Sequence, residues 1–303
     1  MCHSKLFIIG NGFDCAHDLP VRFNPDFKRI ADRLEINGFW DIYQTKEEDI
    51  WSDFENLLAV PDFNSLENIF NDFLPDYYSD KEGDRDEICH QAEFSGNLYK
   101  ALCEFANMAE REIKNTRPKY TFRKQFDAET CFITFNYTHT LEYLYSIDPE
   151  KILHIHGEVG ADNLLLGYPE GMFAPETYFE DVRKKGRGPY REVDIIKYID
   201  EIDDYYIRNA YEILYDKCKS FSKSPQLDKL AHFLNSVSTR DFINEVMVYG
   251  HSCAIDYEYF EYLVRFLPHA KWIFYIWDDK QARNVRKLIA LYGIKNHLEI
   301  PIK

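Results

Sequence analysis

The stretch Leu6-Phe7-Ile8-Ile9-Gly10-Asn11-Gly12-Phe13-Asp14 decides the fold, because a short apolar run leads directly into a glycine-rich turn. Such a run is typical of a strand that is buried on both faces, as in a parallel sheet. The two glycines allow a tight turn, and they can also bring amide donors close to a phosphate. The pattern is neither a full G-x-G-x-x-G nor a P-loop. A structural turn and a phosphate site therefore both stay open.

Four further apolar runs follow, and each ends in a polar or glycine-rich element. They are residues 131–135 before Asn136, 152–156 before Gly157, 246–249 before Gly250, and 272–277 before Asp278. Helical patterns follow several of these runs. Strand and helix in alternation predict an α/β fold, with a Rossmann-like, mostly parallel sheet and an inserted helical region.

The length of the chain predicts more than one part. A chain of 303 residues is long enough for about two domains. We predict an α/β nucleotide-binding core from residues 1–24 and 126–303, with residues 25–125 inserted as a mainly helical region. A charged, aromatic insertion is expected at about residues 170–240.

Charge and cysteine content exclude several classes of protein. Lysine and arginine total 36 against 52 aspartates and glutamates, a net charge of −16, which argues against bulk capture of nucleic acid. No apolar run approaches the ~18 residues of a membrane helix, and the short apolar start does not resemble a signal peptide. We therefore expect no membrane partner. Seven scattered cysteines without a C-x-x-C pair predict reduced thiols in a cytoplasmic protein without a zinc site.

Polar residues follow four of the predicted strands, so the functional site should lie at the carboxyl ends of the sheet. Asn136 follows the second strand, and its amide can orient a water molecule or hold a ribose hydroxyl. Alternatively, Asn136 or Thr138 caps the helix that begins near Thr140. Thr138 can fill this capping role alone, which would leave Asn136 available to a ligand.

His154 and His156 lie two residues apart on one face of the next predicted strand. This spacing suits two metal ligands, but no third ligand with metal-site spacing is evident. We therefore expect no metal, with one core histidine and one site histidine. His156 is the better site candidate, because it stands at the strand end before Gly157.

Gly250-His251-Ser252 precedes a predicted helix that carries Asp256. A Ser-His-Asp hydrolase triad is only weakly indicated, because the G-x-S-x-G elbow is absent. Contacts from Ser252 and the backbone amides to a dinucleotide fit the pattern better.

Taken in this order, these elements resemble the AbiH family of bacterial abortive infection proteins, which act in phage defence. The resemblance spans nearly the whole chain. It rests on Gly10-Asn11-Gly12-Phe13-Asp14, Trp51-Ser52-Asp53-Phe54-Glu55, Phe135-Asn136-Tyr137-Thr138, His154-Ile155-His156-Gly157, residues 163–168, and Gly250-His251-Ser252 with Asp256. Cys15, His139 and Cys253 depart from the family pattern beside these motifs. The family is defined by a phage-defence phenotype, which does not itself supply a reaction.

The same pattern is more distantly similar to the sirtuin-type NAD-binding domains of defence proteins. That similarity implies NAD as substrate or ligand, without a tightly bound cofactor. It also implies that Asn136 and His156 act on the nicotinamide–ribose bond. If that bond is cleaved, we expect Asp14 or Glu142 to stabilise the positive charge on the ribose. By this similarity Gly10, Asn11, Gly12, Gly250 and Ser252 match the dinucleotide cradle. We also expect Phe13, Gly157, His251 and Asp256 to contact the nucleotide.

Three functions stay open on these grounds. The first is hydrolysis of NAD⁺ on infection, and the second is a nucleotide-binding sensor without turnover. The third is a metal-dependent nuclease that uses His154, His156 and His251, which the acidic charge disfavours. The resemblance implies a phage-derived trigger or a defence partner, and defence proteins of this kind commonly need a homo-oligomer.

Two further groups of residues carry expectations. Capture of an anionic dinucleotide against the net charge would need local amides and the basic residues Lys184, Lys185 and Arg187, so we expect a basic rim near Gly10. Trp51 and Phe54 should pack a helix onto the core. Glu55, beside them, is expected either at the surface or at the mouth of the pocket.

Overall fold

The computed structural model describes residues 4–34, 43, 50–63, 89, 92, 98–175, 178–180, 191–237 and 243–302. The chain divides into two compact units. Unit 1 consists of Met1–Arg22, Leu102–Leu165 and Ser224–Lys303, and unit 2 consists of Phe23–Ala101 and Leu166–Lys223. Residues 102–125 thus group with the ends of the chain, whereas residues 166–223 group with unit 2.

The strands of the described residues are numbered in chain order. They are β1 (Ser4–Ile9), β2 (Cys131–Thr134), β3 (Ile152–His154), β4 (Tyr168–Pro169), β5 (Tyr178–Glu180), β6 (Arg191–Val193), β7 (Ser222–Lys223), β8 (Ile243–Tyr249), β9 (Lys271–Ile276) and β10 (His297–Pro301).

The helices are numbered in the same way. They are α1 (Asn11–Ala16), α2 (Lys28–Arg33), α3 (Phe54–Leu57), α4 (Leu98–Ile113), α5 (Tyr120–Arg123), α6 (Thr140–Tyr145), α7 (Ile195–Asp200), α8 (Tyr205–Ser220), α9 (Leu227–Val237), α10 (Tyr257–Phe266) and α11 (Asp279–Tyr292). Single helical turns lie at Phe23–Phe27, Ile50–Ser52 and Pro149–Lys151. Within the described ranges, no helix is both long enough and apolar enough to cross a membrane.

Unit 1 is built on one parallel sheet, whose described strands run in the order β10-β9-β8-β1-β2-β3. Each neighbouring pair is parallel. Read by their order in the chain, these strands have the 3-2-1-4-5-6 arrangement of the Rossmann fold. The predicted α/β fold with a Rossmann-like parallel sheet is therefore confirmed. In this topology the chain reverses direction across the sheet between β1 and β8, which is where ligands of such folds bind.

β1 is apolar from Leu6 to Ile9 because both faces of the sheet are covered there. On one face, Leu6 and Ile8 of β1 belong to a buried cluster with residues of α9, α10 and α11. On the other face, Phe7 and Ile9 pack into a second cluster that includes Phe13 of α1 and Phe122 of α5. Alternate residues of a strand point to opposite faces. The run of four apolar residues in β1 is therefore what a doubly covered strand requires.

Unit 2 combines helices with two small sheets and an aromatic core. In it, β4 pairs with β7 in parallel and β5 pairs with β6 antiparallel. Trp51 and Phe54 are buried and stacked, with 5.4 Å between their ring centroids. The expectation that this pair packs α3 into a core is confirmed.

Candidate functional site

The glycine-rich turns that follow β1 and β8 pack directly against each other. The N–H of Gly10 donates to the carbonyl of Tyr249 (3.0 Å), and the N–H of Gly12 donates to the carbonyl of Gly250 (2.9 Å). Gly250 has a φ of +74°, and a Cβ on it would lie 2.4 Å from the backbone nitrogen of Phe13. Close backbone packing between adjacent strand ends therefore accounts for these glycines.

The same packing occupies the donors that were predicted to hold a pyrophosphate. The N–H groups of Gly10, Gly12 and Phe13 donate to backbone carbonyls, and the side-chain amide of Asn11 also donates to a carbonyl. In this conformation these groups are not available to a phosphate. Ser252 is exposed and its hydroxyl oxygen accepts a neighbouring backbone N–H, so its own proton can be donated to a ligand.

Asp14, on α1 just after β1, is a buried carboxylate with incomplete hydrogen bonding. Its Oδ2 accepts a short hydrogen bond from the hydroxyl of Thr138, whereas its Oδ1 is buried without a hydrogen-bond partner. Burial raises the pKa of Asp14 to about 6, although hydrogen bonds from Thr138 and Thr140 lower it. A carboxylate with a pKa in this range changes charge near neutral pH.

Asn136 follows β2, and its backbone groups have polar partners whereas its side-chain nitrogen has none. Its N–H donates to the hydroxyl of Thr134 (3.1 Å), and its carbonyl lies 3.1 Å from Nδ1 of His154. Its Nδ2 is buried without a hydrogen-bond partner. The amide lies close enough to Asp14 to lower the pKa of that carboxyl, but without the geometry of a hydrogen bond.

The expected helix cap at this turn is absent, which corrects the interpretation of Thr138. His139 occupies the cap position of α6, and its side chain accepts no hydrogen bond from the first turn of this helix. The hydroxyl of Thr138 donates to Asp14 instead. Asn136 is not the cap either, so neither residue serves the structural role that the sequence offered.

His156 shares a buried carboxylate with His251. Nε2 of His156 lies 3.4 Å from Oδ1 of Asp256, and Nε2 of His251 lies 3.5 Å from Oδ2 of the same side chain. Nδ1 of His251 accepts the N–H of Cys253 (3.0 Å), which places the ring proton on Nε2, towards Asp256. The ring of Phe135 packs on both histidines, with centroid distances of 5.0 and 4.5 Å. Asp256, predicted to bind a nucleotide, thus lies where it orients the two imidazoles.

His154 belongs to a different group of side chains from His156. Its Nε2 lies 2.9 Å from Oε1 of Glu142 and 4.0 Å from Oε2 of Glu158. His139 faces the same Glu158 oxygen from Nε2 at 3.2 Å, and its Nδ1 lies 2.8 Å from Oε1 of Glu110. The hydrogen bond to Glu110 raises the pKa of His139 to about 9. The two histidines of the H-x-H pattern therefore do not form one pair of ligands.

Glu110 and Glu158 were missed by the sequence analysis. His154 and Glu158 are four residues apart, and His139 and Glu142 are three apart, which are spacings found among metal-binding and ion-paired side chains. These spacings could have pointed to Glu158. Glu110 comes from α4, and its approach to His139 depends on tertiary packing alone.

Other predicted residues lie away from these groups. Glu55 pairs with Lys223 at 2.8 Å within unit 2, and both side chains are largely buried, so it is not the surface carboxylate that was one of its two expected roles. Lys184, Lys185 and Arg187 lie outside the described residues. A groove of about 450 Å³ in unit 1 is lined by Leu227, Glu258, Glu261, Tyr262, Arg265 and Phe266, and none of these is a candidate site residue.

The polar strand ends of unit 1 are acidic or neutral in the part of the chain that the structure describes. Asp14, Asn136, His156, His251 and Asp256 are all buried there, and no buried lysine or arginine of this unit accompanies them. The basic residues expected at the rim, Lys184, Lys185 and Arg187, lie outside the described residues, so the basic rim stays a prediction. The site is suited to a cationic group more than to a phosphate.

A family model described as bacteriophage abortive infection AbiH matches residues 6–276, which is most of the chain and includes each candidate site residue named above. No curated protein and no solved structure gives a significant match. The more distant similarity to sirtuin-type domains stays a prediction.

Proposed function

We propose that this chain, which belongs to the AbiH family of bacteriophage abortive infection proteins, cleaves the nicotinamide–ribose bond of NAD⁺ during phage infection. The proposal assigns the reacting end of the substrate to Asp14, Asn136 and His156. It assigns no pyrophosphate contact to Gly10 or Gly12, because their N–H groups already bond backbone carbonyls.

The observation that carries the proposal is the state of Asp14. Its carboxyl is buried beside the uncharged side chains of Thr138, Thr140 and Asn136, and the negative charge of Glu110 raises its pKa further. A buried carboxylate without a cationic neighbour is costly to the folded protein. Cleavage of the nicotinamide–ribose bond develops positive charge on the ribose ring, as in other glycoside cleavages. A bound substrate would thus supply the positive charge that the site lacks.

Unsatisfied atoms on the neighbouring strand ends support the same reaction. Nδ2 of Asn136 and Nε2 of His156 are buried without hydrogen-bond partners, and native proteins rarely leave such atoms unpaired without a reason. The Asn136 amide would hold the attacking water or a ribose hydroxyl. His156, whose Nε2 lies 3.4 Å from Oδ1 of Asp256 without a hydrogen bond, would accept a proton from the water or hydroxyl that Asn136 holds.

The chemical step balances without a cofactor. The bond between ribose C1′ and the nicotinamide nitrogen breaks, and its electron pair stays on nicotinamide, which becomes neutral. Asp14 stabilises the cationic ribosyl group that remains. Water then adds to C1′ and loses its proton to His156, so the products are nicotinamide, ADP-ribose and one proton.

The test follows NAD⁺ in bacteria that carry the gene and are challenged with a phage that it restricts. We expect NAD⁺ to fall and nicotinamide and ADP-ribose to rise with the native chain, but not with Asn136→Ala or His156→Ala. Exposed residues of the same types provide matched controls, Asn296→Ala and His269→Ala, which should behave as the native chain does. Thermal unfolding of each purified variant checks that the fold is kept.

The rival function is a sensor that binds a nucleotide without breaking it. Protection against phage with unchanged cellular NAD⁺ would rule out the cleavage proposal. Calorimetry on the purified chain then separates the two functions, because a sensor binds NAD⁺ and leaves it intact. Cleavage that persists in both Asn136→Ala and His156→Ala would overturn the assignment of residues.

A further inference from the structure

We infer that His139, His154 and Glu158 form a binding site for a divalent transition-metal ion, with Glu142 beside it. One ligand atom from each of the three residues lies within 4.8 Å of the other two. The inference does not depend on the proposed reaction. It replaces the expectation, drawn from the sequence, that this part of the chain binds no metal.

The distances between the polar atoms resemble those within a metal coordination shell. For bonds of about 2.1 Å to nitrogen and oxygen, adjacent ligand atoms lie about 3.0 Å apart in octahedral and about 3.4 Å apart in tetrahedral geometry. Here Nε2 of His139 lies 3.2 Å from Oε2 of Glu158, and Nε2 of His154 lies 2.9 Å from Oε1 of Glu142. Nε2 of His154 and Oε2 of Glu158 are 4.0 Å apart, a gap that closes with a rotation of the half-exposed Glu158 side chain. One ring nitrogen of His139 and one of His154 lie within 4.8 Å of each other.

The outer partners of both histidines are those typical of metal-ligating imidazoles. Such a histidine usually donates its second ring N–H to a carboxylate or a backbone carbonyl, which fixes the ring with its other nitrogen towards the metal. Nδ1 of His139 lies 2.8 Å from Glu110, and Nδ1 of His154 lies 3.1 Å from the carbonyl of Asn136. Both Nε2 atoms are thereby turned towards Glu158. An ordinary surface ion pair does not require this second contact at both rings.

Glu142 provides an independent indication of a missing ligand. Its Oε1 contacts His154, but its Oε2 is buried without a hydrogen-bond partner. A buried carboxylate oxygen without a partner is rare in native structures. A cation held by the two imidazoles would satisfy it, either directly or through a bound water molecule.

The ligand set selects the class of ion. Imidazole nitrogen favours zinc, iron, nickel or copper over magnesium and calcium, and carboxylate oxygen is compatible with zinc, iron and manganese. Two imidazoles with one or two carboxylates therefore indicate Zn²⁺, Fe²⁺ or Mn²⁺. Because His154 contacts the carbonyl of Asn136, the ion would also fix the turn that presents Asn136, as a positioning centre and not as a reactant.

The experiment titrates the chelator-treated full chain with Zn²⁺ by calorimetry and with Co²⁺ by visible absorption. We expect one ion per chain, with a Co²⁺ spectrum of nitrogen and oxygen ligation. His139→Gln should lower the affinity for Zn²⁺ at least ~100-fold, and the outer-shell change Glu110→Gln should lower it about 10–100-fold. His269→Gln, on an exposed histidine outside the cluster, should leave the affinity unchanged.

A second variant keeps the inference falsifiable if His139→Gln does not fold. Glu158 has a side chain that is 47 % exposed, so Glu158→Gln should fold normally while it weakens Zn²⁺ binding at least ~10-fold. Two outcomes would overturn the inference. One is failure of the native chain to bind Zn²⁺, Mn²⁺ or Fe²⁺ at millimolar concentration, and the other is an affinity that neither cluster variant changes.

Discussion

At the junction of β1 and β8, the N–H groups of Gly10 and Gly12 bond backbone carbonyls, and the two turns close on each other. At the ends of β2 and β3, by contrast, the side chains of Asn136 and His156 have buried atoms without partners. Both regions lie at the carboxyl ends of strands of the same sheet. Backbone groups that have hydrogen-bond partners stabilise the carboxyl ends of the strands. Buried side-chain atoms without partners lower the stability of the fold, and proteins keep them where they serve a ligand. We therefore propose that the glycines serve the structure and that the polar side chains serve the function.

The largest effect is expected on the structural side of this comparison. Gly250→Ala should destabilise the chain by more than about 4 kcal/mol, because its Cβ would lie 2.4 Å from the nitrogen of Phe13 at a φ of +74°. Gly160 provides the control, since it also has positive φ (+90°) but open space around its Cβ position. Gly160→Ala should lose only about 1–2 kcal/mol, from backbone strain alone. Urea unfolding measures both, and equal losses would contradict the packing argument.

Replacing a polar residue of the candidate site, Asp14, should have the opposite effect on stability and give a variant that is more stable than the native chain. The folded-state pKa of Asp14 is raised from 3.8 to about 6, so the native state holds this proton more tightly than the unfolded state does. The protonated Asp14 carboxyl stabilises the fold below about pH 4, and this contribution is lost as the pH rises through 6. The free energy of unfolding changes by about 3 kcal/mol as a result. Asp14→Asn does not titrate, so it should be more stable than the native chain at pH 8 while it loses NAD⁺ cleavage.

Unfolding free energies between pH 4.5 and pH 8 provide the measurement for Asp14→Asn. The exposed Asp228→Asn is the control and should leave the pH dependence unchanged. If the unfolding free energies of the native chain and of Asp14→Asn change with pH in parallel, burial of the Asp14 carboxylate does not destabilise the fold.

The sheet could be predicted from the sequence because its signals are local. Runs such as residues 6–9 are apolar at every position, and this pattern is specific to strands covered on both faces. Asn136 and His156 could be selected for the same reason, since a parallel sheet brings its carboxyl ends together. No tertiary contact was needed for either inference.

What the sequence could not show depends on contacts between distant elements. The glycine turn reads equally well as a phosphate loop until Gly250 is known to lie against it. Thr138 reads as a helix cap until Asp14 is found to accept its hydrogen bond, 124 residues away in the chain. The side chains that surround His139 come from α4 and from the turn after β3, and only the fold brings Glu110 and Glu158 to it.

A smaller effect is expected when the orientation of His156 is changed without removing it. Asp256 lies 3.4 Å from Nε2 of His156 and has a φ of +61°, a conformation that asparagine tolerates well. Asp256→Asn should therefore keep the fold and lower kcat for NAD⁺ cleavage about 10–100-fold, with little change in KM. Steady-state kinetics on the purified variant test this. A raised KM with native kcat would instead assign Asp256 to substrate binding, as the sequence predicted.

The smallest effect is expected when the hydroxyl of Thr138 is removed while its packing is kept. The hydrogen bond from Thr138 lowers the pKa of Asp14 against the effect of burial, so Thr138→Val should raise that pKa by about one unit, equivalent to about 1.4 kcal/mol. Thr138→Ser keeps the hydroxyl and should leave the pKa unchanged, although it also removes a methyl group. Carboxyl NMR titration of Asp14 in the three proteins reports the shift directly. Because the folded-state pKa rises further in Thr138→Val, this variant should lose stability over a pH range that extends about one unit higher. An unchanged titration in Thr138→Val would mean that burial alone sets the charge of Asp14, and that the turn after β2 does not tune it.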